Sequence, residues 1–296
     1  MRWLFLGAGN MASSLIGGLI TGGSSPEHIG VMDPDGDACQ RAIDTFGILA
    51  ASRIEELMPP LFAQTDCAED RLLGVVIAVK PAIVEAACKS MADYNGSTTK
   101  DSRLHTNAIY ISVAAGVRVN SMQDWLPEGS ALVRCMPNTP ALLGLGITAM
   151  YANEKCSTED KQLATGLLDS AGKTLWVEHE SALDAVTAVS GSGPAYFFYL
   201  IEHMTSAGMA LGLPADTAET LAIETAFGAA SMARMRQHNA AVLRENVTSK
   251  GGTTAAALQV FNDKNTPEII HCAMLAAQQR AAEMGDEFTP DVPTTP

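Results

Sequence analysis

The chain has 296 residues, of which 47% are hydrophobic, which is enough to bury a large core and to form two domains. Its 19 lysines and arginines stand against 33 acidic residues, and the resulting net charge of -14 disfavours binding to nucleic acid or to anionic membranes. The six cysteines lie apart, without a C-x-x-C pair or an H-x-x-x-H pair nearby, so neither a disulfide framework nor a metal site is indicated. We therefore expect a cytoplasmic protein with reduced thiols that binds a small molecule.

Short apolar runs separated by helical stretches dominate the first part of the chain. In order they are "WLFLG", "HIGVMD", "LLGVVIAVKP", "NAIYISVAAG" and "SALVRCMPNTP". Because these runs lack polar alternation, they predict strands of a parallel sheet that is covered on both faces. Two further strands, "GITAMYAN" and "KTLWVEH", are predicted on either side of a helix over about residues 158–171.

The character of the sequence changes after residue 179. From there on we find no strand signal, only helices rich in alanine, methionine and leucine that break at "GSGP", at "LGLP" and at "VTSKGGTT". We therefore predict a boundary near residue 179, with an α/β domain at residues 1–179 and an all-α domain at residues 180–296. The tail "GDEFTPDVPTTP" is expected to be disordered.

A glycine-rich turn follows the first predicted strand. A G-x-G-x-x-A pattern opens the next helix there, and in Rossmann-like domains such a turn places dinucleotide pyrophosphate at the helix N-terminus. The residues expected to bind this cofactor are Gly7, Ala8, Gly9, Asn10 and Met11. Asp33 ends the second predicted strand, where an acidic side chain contacts the ribose in such domains, but a turn-forming role in "DPDGD" explains it equally well.

The ends of the later strands extend the predicted cofactor groove, because ligands of an open parallel sheet bind beyond the carboxyl ends of its strands. The third strand ends in Ala78, Val79, Lys80 and Pro81, and the fourth in Val113, Ala114 and Ala115. Asn138 lies between two prolines after the fifth strand. It is either a loop corner or a side chain directed at the site.

The break at "VTSKGGTTAAAL" predicts a second site. Gly251 and Gly252 end one helix, and Thr253 or Thr254 is expected to cap the next, whose N-terminal N–H groups would bind an anion. Together with Ser249 these hydroxyls suit a small carboxylate with a neighbouring nitrogen. An ordinary corner between two helices is the alternative.

Several motifs in this order resemble the pyrroline-5-carboxylate reductase family: "FLGAGNMASSLIGGL", "AVKP", "SVAAGV", "RCMPNTPAL", "AVSGSGPAYFF" and "VTSKGGTTAAAL". The resemblance implies a Rossmann-like domain that binds NADPH or NADH, and a helical domain that forms a homodimer, with dimers often assembled into a ring. It also implies that the substrate, 1-pyrroline-5-carboxylate, is held by Ser249, Gly252, Thr253 and Thr254, with Asn246 bordering the site. The reaction would be its reduction to L-proline.

The chemistry of a cyclic imine suggests a role for Thr254. Hydride addition at carbon 5 is easiest when the ring nitrogen is protonated or hydrogen-bonded, and the Thr254 hydroxyl is our candidate for that contact. Two residues depart from the family pattern: Lys250 stands where many members have proline, and Ile54 where several have asparagine. Asp33 and Asp35 would repel a 2′-phosphate and favour NADH, whereas the resemblance and Arg53 favour NADPH.

Two other functions share this architecture. A β-hydroxyacid dehydrogenase or ketopantoate-type reductase would resemble its relatives in using a lysine from the interdomain helices, but none occurs between Lys173 and Lys250. A non-catalytic nucleotide-sensing protein would not need the hydroxyls of the GGTT loop. We expect this chain to form an obligate dimer, because the helical stretch at residues 206–235 is apolar around most of its circumference. A core helix of a large domain is the alternative.

Overall fold

The computed structural model describes residues 1–62, 73–97, 108–235 and 237–288. The chain forms two compact units. The first comprises Met1–Gly191 together with the residues from Gln278 onward, and the second comprises Ser192–Ala277. The contacts therefore divide the chain between Gly191 and Ser192, and the C-terminal part of the last helix belongs with the first unit.

An eight-stranded sheet forms the first unit, in the order β3-β2-β1-β4-β5-β6-β7-β8. Neighbouring strands are parallel except β6 and β7, because a connection too short for a crossover helix reverses the chain between them. Every predicted strand is present, and β3, short and half-buried, is an additional strand that the sequence did not reveal. The bounds are β1 Arg2–Leu6, β2 Ile29–Met32, β3 Leu49–Ala51, β4 Leu73–Ile77, β5 Ile109–Ser112, β6 Ala131–Met136, β7 Gly146–Ala152 and β8 Gly172–Trp176.

Helices cover both faces of this sheet, as the unbroken apolar strands predicted. In β1, Trp3 and Phe5 join one core cluster, whereas Leu4 and Leu6 join the cluster on the opposite face. Successive strand residues point to opposite faces, so a strand buried on both sides must be apolar throughout. The helices are α1 Asn10–Thr21, α2 Gly36–Phe46, α3 Ile54–Leu61, α4 Val84–Ser97, α5 Val119–Trp125, α6 Thr158–Asp169 and α7 Ala182–Val186.

Among its described residues the second unit contains helices joined by short turns and no strand, which confirms the all-α prediction. It contains α8 Gly193–Ala210, α9 Ala215–Arg234, α10 Ala240–Asn246, α11 Thr253–Asp263 and the beginning of α12 Thr266–Glu287. The three predicted breaks are real. At "LGLP", for example, Gly212 takes a φ of 97°, which favours glycine, and Pro214 caps α9.

The predicted disordered tail begins too early. Helix α12 continues through Gly285, Asp286 and Glu287, because Arg118 donates hydrogen bonds to the Asp286 carboxylate at 2.8 Å and to the Ala282 carbonyl at 3.2 Å. These contacts hold the end of the helix within the first unit. The remainder of the predicted tail, residues 289–296, lies outside the described residues.

Large apolar side chains of α8 and α9 are left uncovered. Phe197, Phe198, Leu221 and Phe227 are each more than half exposed. A stable fold rarely leaves so many large apolar groups in water, so these helices require a further protein surface. Among the described residues, no helix combines the length and the hydropathy that a membrane span would need.

Candidate functional site

The predicted cofactor loops lie side by side along the carboxyl edge of the sheet. The backbone N–H of Gly7 donates to the Met32 carbonyl at 2.8 Å, and that of Ala78 donates to the Leu6 carbonyl at 2.8 Å. In the same way, the N–H of Val113 donates to the Ile77 carbonyl at 3.0 Å. Each loop thus continues the ladder of its strand by one bond, and the structure brings the three loops together as expected.

The glycine turn has one crowded glycine and one open glycine. Gly7 has a φ of 102°, and a Cβ there would lie 2.8 Å from the Ala78 carbonyl oxygen and 2.9 Å from Val79 Cγ1. Gly9 is the N-cap of α1, and a Cβ there would meet no atom within 4 Å. Packing within the chain therefore explains Gly7, whereas Gly9 leaves free space in front of the helix N-terminus. A pyrophosphate fits this arrangement.

Small and exposed groups form the rest of this edge. Lys80 is exposed and precedes a 3₁₀ turn at Pro81–Ile83. Val113 and Ala115 are half-buried, while Ala114 is buried beneath the loop. The side chains of Val113 to Ala115 are small, and Val113 and Ala115 are partly accessible to solvent next to β5.

Asp33 is tied to the glycine turn. Its Oδ2 accepts from the Ala8 N–H at 2.8 Å, and its Oδ1 accepts from the Asp35 N–H at 2.9 Å. The bond to Asp35 is the turn-forming role, and the bond to Ala8 was not anticipated. Contact between Asp33 and a ribose stays a prediction.

A cleft of about 330 Å³ lies beside Asp33, at the ends of β2, β3 and β4. Arg53 lines it with a largely exposed side chain that forms ion pairs with Glu55 at 3.5 Å and Glu56 at 3.7 Å. Ile54 is buried in the core at the start of α3. The remaining lining is mostly apolar: Met32, Pro34, Val79, Ile83, Ala86 and Ala87, with Ser52 and Ser90. The size and lining suit a nucleobase.

A largely buried charged cluster lies beside β6 and the start of α5, and sequence reasoning missed it. Arg134, on β6, is 4% exposed and donates to Glu180 Oε1 at 2.7 Å, an oxygen that also accepts from the Val119 N–H at 2.8 Å. Burial raises the pKa of the nearby Asp184 carboxyl, although the positive charges of Arg134 and Arg118 oppose that shift. The signal was available, because an arginine interrupts the apolar run "LVRCM".

The predicted substrate loop lies in the second unit, between α10 and α11. Gly251 has a φ of 73°, and the Gly252 N–H donates to the Ser249 carbonyl at 3.0 Å, which closes the turn. Ser249 Oγ stands so close to Gly252 that a side chain at position 252 would collide with it. Asn246 is the last residue of α10, and Asn246 and Ser249 are both exposed.

The expected threonine cap is wrong. Gly252 is the N-cap of α11, with extended dihedrals of -82° and 175°, and its carbonyl accepts from the Ala256 N–H at 3.1 Å. Thr253 and Thr254 are the first two helical residues, the former exposed and the latter half-buried. Glycine has no side chain, so the capping residue accepts no hydrogen bond from the N–H groups of the first turn of α11. These N–H groups can therefore bind an anion.

Comparison with known proteins agrees with this arrangement. Residues 180–284 match the family model of pyrroline-5-carboxylate reductase dimerisation, and residues 3–116 match that of the coenzyme F420-dependent NADP oxidoreductases. A pyrroline-5-carboxylate reductase of Pseudomonas aeruginosa is 40% identical, with 97% of this chain and 98% of the relative covered. One of Arabidopsis thaliana is 34% identical, with 95% and 94% covered.

Solved structures show the same relation. The pyrroline-5-carboxylate reductase of Coxiella burnetii superposes with a TM-score of 0.82 at 34% identity, with 96% of this chain and 98% of that chain covered. A pyrroline carboxylate reductase of Plasmodium falciparum, solved with NADP bound, gives a TM-score of 0.77 at 25% identity, with 96% of this chain and 98% of that chain covered. The identity extends over nearly the whole of both chains, and the chain therefore belongs to the pyrroline-5-carboxylate reductase family of NAD(P)H-dependent oxidoreductases.

Proposed function

We propose that this chain reduces 1-pyrroline-5-carboxylate to L-proline, with the cofactor on the carboxyl edge of the sheet and the substrate on the loop Ser249–Thr254. The observation that carries the proposal is the N-terminus of α11, where a glycine cap leaves N–H groups and two threonine hydroxyls next to Ser249. A small carboxylate with an adjacent ring nitrogen matches this set of donors.

The first unit supplies the cofactor site. The N-terminus of α1 and the space at Gly9 would hold the pyrophosphate, together with Asn10 and Met11. The loops Ala78–Pro81 and Val113–Ala115 would hold the ribose and nicotinamide end, and the cleft at Arg53 would hold the adenine. When bound, NAD(P)H supplies the hydride that reduces the imine carbon.

Thr254 would act on the ring nitrogen. Its hydroxyl is not needed as a helix cap, so it is free to donate to a nitrogen on which electron density develops. Ser249, Gly252 and Thr253 would hold the carboxylate, Thr253 through its backbone N–H, and Asn246 would border the site. With these roles, the protein orients and polarises the substrate and needs no strong acid–base pair.

Both cofactors should be used. Asp33 places a fixed negative charge at the expected ribose position, which opposes a 2′-phosphate, and Arg53 offers a positive charge that Glu55 and Glu56 partly offset. We therefore propose modest discrimination between NADPH and NADH.

The functional division we propose is residues 1–179 for the dinucleotide and residues 180–296 for substrate and dimerisation. The dimerisation match, which begins at residue 180, supports it. We propose a homodimer as the smallest active form, supported by the exposed apolar side chains of α8 and α9. Assembly of dimers into a ring rests on the family resemblance alone. The proposal of a cytosolic location rests on the free buried thiols of Cys39, Cys88 and Cys135.

A direct assay tests the proposed reaction. Purified protein is mixed with 1-pyrroline-5-carboxylate and either NADPH or NADH, the loss of absorbance is followed, and L-proline is identified in the product. Ketopantoate and a β-hydroxyacid with oxidised cofactor serve as comparison substrates. The proposal would be overturned if a comparison substrate were turned over while 1-pyrroline-5-carboxylate gave no L-proline. It would also be overturned if the protein bound the cofactor but turned over none of these substrates.

A further inference from the structure

Asn138 lies at the sheet edge that carries the cofactor loops. Strands β5 and β6 are parallel neighbours, with Ser112 paired to Arg134. The segment that leaves β6 through Met136 therefore emerges next to the segment that leaves β5 through Val113 and Ala114. The end of β6 is thus adjacent to the loop that we assign to the nicotinamide.

The side-chain amide of Asn138 connects two other segments. Its Oδ1 accepts from the Ile147 N–H at the start of β7, at 2.9 Å, and its Nδ2 donates to the Ser190 carbonyl at 3.2 Å. Only a side chain with both a donor and an acceptor satisfies these partners. An aspartate could accept from Ile147 but would set a carboxylate oxygen against the Ser190 carbonyl.

Ser190 belongs to a wide turn that is held from several directions. Residues Thr187–Gly191 form a π-helical turn, a rare conformation that is frequent at functional sites. The Ser190 hydroxyl donates to the Val186 carbonyl at 3.0 Å, and the Thr187 hydroxyl donates to the Leu183 carbonyl at 2.7 Å. Gly191 packs against the end of the Met136 side chain, which would have to move to admit a Cβ at position 191.

One large apolar side chain projects from this fixed turn. Val189 is 68% exposed, whereas its neighbour Ala188 is buried. An isolated exposed valine is ordinary on a mobile surface loop. Here it is presented by a turn that Asn138 and Met136 anchor to the end of β6, beside the edge where the cofactor loops lie.

We propose that Asn138 is a positioning residue that holds the π turn, so that Val189 forms an apolar wall against the nicotinamide end of the cofactor. The inference rests on the proposed placement of the cofactor along this edge. An apolar wall keeps water from the ring and limits its rotation, and both favour hydride transfer more than they favour initial binding. The pyrophosphate and adenine contacts, at the other end of the cofactor, do not depend on it.

Two variants test the inference independently. Asn138→Asp removes the donor to Ser190, and Val189→Ala shortens the wall while both Asn138 hydrogen bonds remain. Val189→Ile keeps the wall, and Leu143→Ala, at another exposed apolar residue of the same region, is the matched control. For each we measure kcat, KM for NADPH, the deuterium isotope effect with cofactor labelled at the transferred hydrogen, the Kd of ADP-ribose, and Tm.

The expected result is a fall in kcat of about tenfold or more for Asn138→Asp and Val189→Ala, with a larger isotope effect. The Kd of ADP-ribose should not change, and Leu143→Ala should behave as wild type. Val189→Ile should recover most of the kcat that Val189→Ala loses. Wild-type kcat and isotope effect in Val189→Ala would overturn the inference, even if Asn138→Asp were impaired or failed to fold, because Asn138 would then be a structural clamp only. Failure of the wild-type protein to reduce 1-pyrroline-5-carboxylate would instead refute the proposed function.

Discussion

Replacing Thr254 by alanine separates a catalytic hydroxyl from a structural one. Thr254 is the second residue of α11, and the cap of that helix is Gly252. Loss of the hydroxyl therefore removes no capping bond, and alanine is intrinsically a better helix former than threonine by several tenths of a kcal/mol. We expect the free energy of unfolding to stay within about 0.5 kcal/mol of the wild-type value.

The effect on turnover should be much larger. If the hydroxyl donates to the imine nitrogen, its loss removes a hydrogen bond that strengthens as hydride arrives. By analogy with single oxyanion-hole donors, that bond is worth about 2 to 4 kcal/mol, or roughly a 30- to 900-fold fall in kcat. The fall should appear in kcat and in kcat/KM alike, since the interaction is made mainly in the transition state.

Steady-state kinetics and denaturant unfolding on the same preparation provide the assay. Thr253→Ala is the matched control: it is the preceding residue in the same helical turn, and its backbone N–H survives the substitution. It should keep kcat close to the wild-type value. Wild-type kcat in Thr254→Ala, with or without a loss of stability, would refute the catalytic role of this hydroxyl.

Four further outcomes are expected. Gly9→Asp should raise the Kd of NADPH about a hundredfold, because the new carboxylate repels the pyrophosphate. Tm should change little, because a Cβ at position 9 meets no neighbour. An unchanged Kd in a fluorescence titration would contradict this expectation. Asp33→Asn should shift the ratio of kcat/KM values toward NADPH by about tenfold, and a wild-type preference for NADPH above about a hundredfold, or roughly 2.7 kcal/mol, would refute the role of the carboxylate. Burial raises the folded-state pKa of Asp184, so the charged carboxylate destabilises the fold once the pH exceeds the ordinary aspartate pKa. Asp184→Asn should therefore raise Tm at neutral pH, and the gain should shrink in acid. A lower Tm of the variant at neutral pH would contradict this expectation. Light scattering should detect no active monomer near 31 kDa.

Much of the fold follows from local patterns. The apolar strands, the glycine turn after β1 and the helix breaks at Gly212 and Gly251 each depend on residues that are close in sequence, so a single chain reveals them. Strand β3 escaped because three half-buried residues produce no distinct pattern. The cap of α11 was misplaced by one or two positions, because glycine and threonine are both acceptable caps and only the backbone dihedrals decide between them.

The pairing of distant charges is not encoded locally. Arg134 and Glu180 are far apart in the sequence, and they meet because α7 packs beside β6. The interruption of an apolar strand by arginine could have indicated a buried ion pair, since an unpaired arginine would be too costly there. The identity of its partner could not have been found, because several acidic residues were available.

Asp33 illustrates how a correctly located residue can have an incompletely predicted role. The spacing from Gly7 placed it at the carboxyl edge of the sheet, and the turn pattern "DPDGD" anticipated its bond to the Asp35 N–H. The sequence did not reveal that the Ala8 N–H occupies the other carboxylate oxygen. Two such bonds fix the carboxylate, so it could not rotate away from a 2′-phosphate placed at the expected ribose position. Arg53, which could offset the repulsion, is itself shared between two glutamates and largely exposed, where screening weakens its charge. We therefore expect the cofactor preference to depend on the fixed negative charge of Asp33 and on the exposed positive charge of Arg53, which Glu55 and Glu56 partly offset. That balance can be altered at Asp33 without touching the residues that hold the substrate.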